Sequence, residues 1–240
     1  MKEARYFYAP DAMTMGELPA EEAAHALRVL RLAEGDEMFL TDGKGAFYRA
    51  VVTLADGKHC QYAIEEQMPQ TKFWRGHLHL AIAPTKDIGR IEWMVEKATE
   101  VGFDEISFIS SRFSERKTLR TDRIEKIVVA AMKQSHKAWK PIVNPIAAFD
   151  DVIQRPTEGR KFICHCYEEG ERRDFYDAIR ETFPSEDITV LVGPEGDFSI
   201  DEVKRATSNG YQSASLGVAR LRTETAGLAA VMMMQLARRA

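Results

Sequence analysis

Val190-Leu191-Val192-Gly193-Pro194-Glu195-Gly196 and, twenty residues on, Leu216-Gly217-Val218-Ala219-Arg220-Leu221-Arg222-Thr223-Glu224-Thr225-Ala226 decide how this chain reads. Each segment is an apolar run, then a Gly-containing loop, then the start of a helical pattern. Two strand-to-helix loops of this kind build a small-molecule pocket. Glycine lets backbone approach a ligand, and helix N-termini present unbonded N–H groups. Alone, Gly193 and Gly217 read equally well as turn glycines. Together the two loops point to a cofactor site.

Working outward, the second half alternates strands and helices, the pattern of a parallel α/β sheet. Strands are expected at His77–Ala83, Glu105–Ser110, Lys161–Cys166, Asp187–Val192 and Tyr211–Ser215. Helices are expected at Ile88–Val101, Arg120–Lys137, Phe149–Ile153 and Glu171–Thr182, and from Arg222 or Thr223 to Arg238. In that last helix Ala226, Ala229, Ala230, Met233 and Leu236 form the packing side. Ser199-Ile200-Asp201-Glu202 is a capping box, which gives Ser199 and Glu202 a structural role.

The first 70 residues read differently. Ala4–Ala9, Glu37–Thr41, Phe47–Leu54 and His59–Glu66 are strand-like. Asp42-Gly43-Lys44-Gly45 and Asp56-Gly57 separate the last three as hairpin turns. Pro19–Leu32 has helical periodicity. Short strands with tight turns suggest a small β-barrel. Gln67–Arg75, with Pro69, reads as the linker, so the expected domains are 1–70 and 71–240.

A hydrophobic fraction of 45% with 29% charged residues describes an ordinary globular protein. No apolar run has membrane-spanning length. Three cysteines (Cys60, Cys164, Cys166) are too few for a disulfide framework, which favours a reducing cytoplasm. The net charge of −4 argues against a surface coated with phosphate-binding cations. Locally, Arg112 to Lys140 carries nine Lys/Arg against three acids, interleaved with Phe113, His136 and Trp139. Such a run is either a solvated face or a nucleic-acid contact in which aromatics stack on bases. Arg28 and Arg31, three apart in the expected first helix, share a face. They form either an exposed basic surface or a phosphate contact.

Several chemistries lack their motifs. There is no phosphate-loop Gly-Lys-Ser/Thr, no G-x-G-x-x-G after the first α/β strand, and no Gly-x-Ser-x-Gly elbow. Cys164-His165-Cys166 reads as strand rather than zinc site, because alternation turns His165 away from both cysteines. No second ligand pair exists, so no metal is expected. His165 nonetheless sits at a strand C-terminal end, where α/β folds place ligands.

The chain resembles the SPOUT-class RNA methyltransferases, and within them the RsmE family. The resemblance spans nearly the whole length. It is carried by His25…Arg28-Val29-Leu30-Arg31, Asp42-Gly43, Glu96-Lys97-Ala98-Thr99-Glu100-Val101-Gly102, Ser114-Glu115-Arg116, Gln134-Ser135, and above all by the two Gly loops. Two positions depart from the pattern. Asp197 stands where relatives often have a second Gly, and His136-Lys137 where they often have Arg.

The resemblance implies an N-terminal PUA-like small β-barrel and a C-terminal SPOUT α/β domain with a trefoil knot. It implies a homodimer that uses S-adenosyl-L-methionine to methylate N3 of the uridine at position 1498 of 16S ribosomal RNA in the small subunit. His165, Val192, Gly193, Pro194, Glu195, Gly196, Leu216, Gly217, Leu221, Arg222 and Thr223 are the expected cofactor contacts. Arg222 is the expected holder of the uracil anion or a phosphate. Glu195 is either base or cap of the following helix. Arg28, Arg31, Arg112 and Arg116 are the expected RNA contacts. The competing readings are a non-catalytic RNA-binding protein, a related enzyme with another target nucleotide, and a nicotinamide oxidoreductase, the last disfavoured by the missing fingerprint.

Overall fold

The computed structural model describes residues 6–167 and 171–240. The expected strand from Ala4 therefore begins outside the described residues at Ala4 and Arg5. The chain divides into two compact units, Met1–Lys72 with Val129–Lys140, and Phe73–Val128 with Pro141–Ala240.

In the first unit, β1 (Tyr6–Tyr8), β2 (Glu37–Thr41), β3 (Ala46–Asp56) and β4 (His59–Pro69) pair in that order. β1 runs parallel to β2, and the other pairs are antiparallel. The Asp42 carboxylate shapes the β2–β3 turn by accepting the Lys44 N–H at 2.7 Å and the Tyr48 hydroxyl at 2.9 Å. The core holds Phe7, Met38, Leu40, Ala50 and Cys60, all fully buried. β4 continues to Pro69, opposite Ala46, so the linker starts later than the polar run at Gln67 suggested.

Two short helices precede β2: α1 (Ala12–Met15) and α2 (Ala20–Ala24). The single helix expected over Pro19–Leu32 is not formed. α2 gives way to a π-helical turn, His25–Val29, whose Leu30 N–H reaches His25 O at 3.1 Å. Arg31 follows with φ of +54°. The wider turn lets Leu32 bury beside Ala26. It also removes the 3.6-residue spacing that placed Arg28 and Arg31 on one helix face, although both side chains are exposed. From the later segment Val129–Lys140, Lys133 pairs with buried Glu22 at 2.5 Å, Trp139 bridges to Lys44, and the His136 ring lies 4.6 Å from that of Tyr6.

The second unit is a seven-stranded, wholly parallel sheet in the order β7-β6-β5-β10-β8-β11-β9. Its strands are β5 (Leu78–Ile82), β6 (Glu105–Ser110), β7 (Ile142–Ala148), β8 (Arg160–Cys164), β9 (Arg173–Asp174), β10 (Ile188–Val192) and β11 (Gln212–Ser215). The helices are α3 (Ile88–Val101), α4 (Thr121–Gln134, whose last six residues belong to the first unit), α5 (Phe149–Ile153), α6 (Phe175–Arg180), α7 (Ile200–Ser208) and α8 (Thr223–Arg238). One sheet face packs Leu78, Leu80, Ile82, Val190 and Phe162 against α3, α6 and α8. The other packs Ala81, Ile109, Ile163 and Leu191 against α5 and α7. β7 escaped the sequence pattern because Pro145 interrupts it, and an edge strand tolerates that proline.

α7 opens on the expected capping box, with Ser199 and Glu202 satisfying each other's N–H groups. The buried stripe of α8 includes Gly227, Ala230, Val231, Met234 and Arg238; of the side that periodicity suggested, Ala230 is buried and Ala226 and Met233 pack partly buried against the core, but Leu236 does not. Leu236 is about half exposed, and Arg238 is buried because it donates to the carbonyls of Glu186 and Ile179. A guanidinium that finds carbonyl acceptors inside the fold overrides the apolar pattern.

Candidate active site

The sheet order sets β10, β8 and β11 side by side, so the loops at their C-terminal ends converge. A cavity of about 1080 Å³ opens there, lined by Cys164–Tyr167 after β8, Val192–Asp197 after β10, and Ser215–Leu221 leading into Arg222, Thr223 and Ala226 at the start of α8. All eleven expected cofactor contacts line it. Arg90, Arg172 and Asp174 complete the wall. Arg90 comes from α3 and pairs at 3.7 Å with both Asp87 and Glu224. No local motif marks it; only the neighbouring position of β5 and β10 brings it in.

Gly217 takes φ of +113°, a conformation closed to residues with a Cβ. Asp197 takes φ of +64°, which Asp tolerates. Its carboxylate accepts the N–H groups of Cys166 and Phe198, each at 2.7 Å. The Asp197 side chain thus ties the β10 loop to the β8 loop.

His165 is buried at 6% exposure, and neither ring nitrogen has a partner among the described residues. Burial lowers its pKa, with Asp197 opposing and Arg172 reinforcing the shift, which favours the neutral imidazole. A buried, neutral ring with an unbonded donor and acceptor at a cavity wall suits a ligand that carries both. The strand ends at Cys164, so the alternation expected to turn His165 from the cysteines does not extend to it, and all three residues line the cavity. Among the described residues no group of three His, Cys, Asp or Glu side chains is placed to hold a metal ion.

Glu195 is exposed and its Oε1 accepts the Lys86 N–H at 3.0 Å. It does not cap the helix that follows, because Ser199 and Glu202 fill that role. Arg222 occupies the N-cap position of α8 with its side chain exposed and no hydrogen bond or ion pair to the described residues. It is an exposed cation in the cavity wall. The expected RNA contacts lie elsewhere. Arg112 is exposed and 3.7 Å from Asp201, whereas the Arg116 guanidinium donates to the carbonyls of Thr85 (3.1 Å) and Lys86 (2.6 Å). Arg116 thereby braces the segment that holds Glu195.

The family model described as "RNA methyltransferase domain" matches residues 73–235, and that described as "RNA methyltransferase PUA domain" matches 18–65. The chain belongs to the RsmE family of RNA methyltransferases. Within and around this family, a probable rRNA-methyltransferase from Porphyromonas gingivalis superposes with a TM-score of 0.89 at 42% identity, over 98% of each chain. Ribosomal RNA small subunit methyltransferase E from Neisseria gonorrhoeae, solved bound to S-adenosyl methionine, superposes with a TM-score of 0.81 at 28% identity, over 97% of each chain. Ribosomal RNA small subunit methyltransferase E of Rickettsia conorii is 26% identical over 92% of this chain and 89% of its own length.

Proposed function

We propose that the protein is an S-adenosylmethionine-dependent methyltransferase of small-subunit ribosomal RNA, acting on N3 of the uridine at position 1498 of 16S RNA. The observation that carries the reading is the converged cavity, in which an apolar wall (Val192, Leu216, Leu221) meets backbone groups of two Gly loops and the unbonded His165 ring. That wall suits adenine, and the polar groups suit the ribose and amino-acid ends of the cofactor. When bound, S-adenosylmethionine supplies an electrophilic methyl group on a sulfonium sulfur. The chain's own work is to position the uracil, receive the N3 proton and stabilise the anion that remains. Glu195 is the proton acceptor through the oxygen that Lys86 does not occupy. Arg222, with no other bond to hold it, turns toward the developing negative charge.

Residues 1–70 are assigned to RNA binding and 71–240 to methyl transfer, with Arg28, Arg31, Arg112 and Arg116 supporting the RNA. The alternative role of Arg116, bracing Thr85–Lys86, has direct hydrogen bonds behind it. We also infer a cytoplasmic homodimer, and a trefoil knot formed by the loops after β8, β10 and β11. Pulling a knotted chain by both termini leaves it shorter than its full contour, about 3.6 Å per residue; recovery of the full contour removes the knot.

The function is tested by calorimetric titration with S-adenosylmethionine and by mass mapping of 16S RNA from a deletion strain. Binding in the micromolar range and loss of one methyl group at that uridine, restored by the wild-type protein, are expected. Absence of binding favours a non-catalytic RNA-binding protein. A methyl lost elsewhere assigns another nucleotide.

A further inference from the structure

Phe113 is 45% exposed, an unusual position for a phenylalanine, and the loop that carries it is well fixed. Directly after β6, the Ser114 hydroxyl accepts the Ser111 N–H at 3.0 Å and pairs with the Ser111 hydroxyl at 2.9 Å. The Ser111 carbonyl accepts Lys117 Nζ at 2.9 Å, and the Arg112 N–H donates to Glu202 Oε1 at 2.8 Å. Glu202 is itself held by the capping box of α7. The ring is therefore held outward by a pinned backbone.

Its neighbour identifies the place. A Cβ on Gly196 would stand 3.1 Å from Phe113 Cβ, so the cavity-lining β10 loop passes close against the phenylalanine. The Arg112 guanidinium lies 5.6 Å from the ring centroid. An exposed aromatic plane, with a cation beside it, thus stands at the edge of the cofactor cavity. Trp139 and His136, the other aromatics of the basic run, are engaged within the first unit. Among the described residues Phe113 packs on no other ring.

We propose that Phe113 is the stacking platform for the target pyrimidine, holding the unpaired uracil at the cavity edge while Arg112 meets the adjoining phosphate. This rests on the function proposed above. A base taken out of an RNA helix needs a replacement for its lost stacking, and an aromatic side chain at the reaction site provides it. The platform explains why the chain keeps a large apolar ring nearly half exposed in a loop whose backbone is pinned by hydrogen bonds. Phe113 does not line the cofactor cavity, so its role is to position RNA.

The test compares wild type, Phe113→Ala and Phe113→Trp. Calorimetry measures S-adenosylmethionine affinity, and initial rates are taken on unmethylated small ribosomal subunits. For Phe113→Ala, kcat/KM on subunits should fall about tenfold to a hundredfold, the range of base–aromatic stacking, with cofactor Kd within twofold of wild type. Phe113→Trp should retain activity within about threefold, and its added indole emission should be quenched on mixing with subunits. Wild-type kcat/KM in Phe113→Ala overturns the proposal. So does an equal loss of cofactor affinity, which would make the ring a structural support of Gly196. A wild-type protein that binds the cofactor but methylates no subunit fails the underlying function instead, and takes the platform with it.

Discussion

At the scale of single residues the sharpest question is Glu195. Its Oε1 is occupied by the Lys86 N–H, so glutamine at this position keeps that hydrogen bond through its carbonyl and loses only the ability to take a proton. Glu195→Gln should therefore slow the single-turnover methyl step by about 10²- to 10⁴-fold, the range for a general base, with cofactor affinity close to wild type. Equal single-turnover rates would assign Glu195 to bracing the Thr85–Lys86 segment. Arg222→Ala should abolish turnover with the far-ultraviolet spectrum unchanged, since Arg222 has no bond to lose within the described fold. Near-normal turnover removes it from the mechanism. The residues on the two Gly loops were legible in the sequence because their signals are local. Arg90 and the Lys86 partner of Glu195 were not, because strands distant in sequence bring them to the site.

At the scale of elements, one sheet carries a polar row that the proposed chemistry does not use. His79 on β5 is buried, with Nε2 2.9 Å from the Ser107 hydroxyl on β6. Burial pushes its pKa down to about 4, with Glu105 opposing and His77 and Arg155 reinforcing. Beside it, the His77–Glu105 hydrogen bond at 2.9 Å raises the pKa of His77 and lowers that of Glu105 to about 2. The signs differ. The depressed pKa of His79 means the unfolded chain takes a proton between pH 6.5 and 4 that the folded chain refuses, so stability falls with acid by on the order of 3 kcal/mol. Glu105 adds stability above its ordinary range that is lost as pH falls toward 2. His77 contributes below pH 6.5 and loses its contribution as pH rises through its raised value. Denaturant unfolding should therefore show declining stability below about pH 6.5. His79→Gln should flatten that limb, and an unchanged acid slope in the variant would refute the assignment. This row was illegible in the sequence: strand pairing across residues 79, 107 and 144 creates it. The same is true of β7 and of the π-helical turn. Edge position rescued the first despite Pro145, and burial of Leu32 drew the second away from the helical period. Long periodic helices such as α3 were read correctly because their whole signal lies within 14 residues.

At the scale of the whole molecule, α3 and α8 pack on the same sheet face and both leave large apolar groups in water. Trp93 on α3 is 47% exposed, and Met232 and Leu236 on α8 are 47% and 48% exposed. Met232 and Leu236 are four apart and share a helix face. Helices whose inner sides are already buried in the core have no structural need for a second apolar face, and such surfaces mark association sites. A second copy of the chain is the occupant proposed for this face, and a two-fold interface of that kind would be isologous. Sedimentation should give wild-type protein twice the monomer mass at micromolar concentration. Met232→Glu combined with Leu236→Glu should give a folded monomer with normal helical content, because neither side chain belongs to the buried stripe of α8. Methylation by that monomer should fall sharply if both copies contact the ribosomal RNA. A monomeric wild type, or a double variant that stays dimeric, would show that this face is not the interface. Full activity in the monomer would show that one copy suffices for the chemistry.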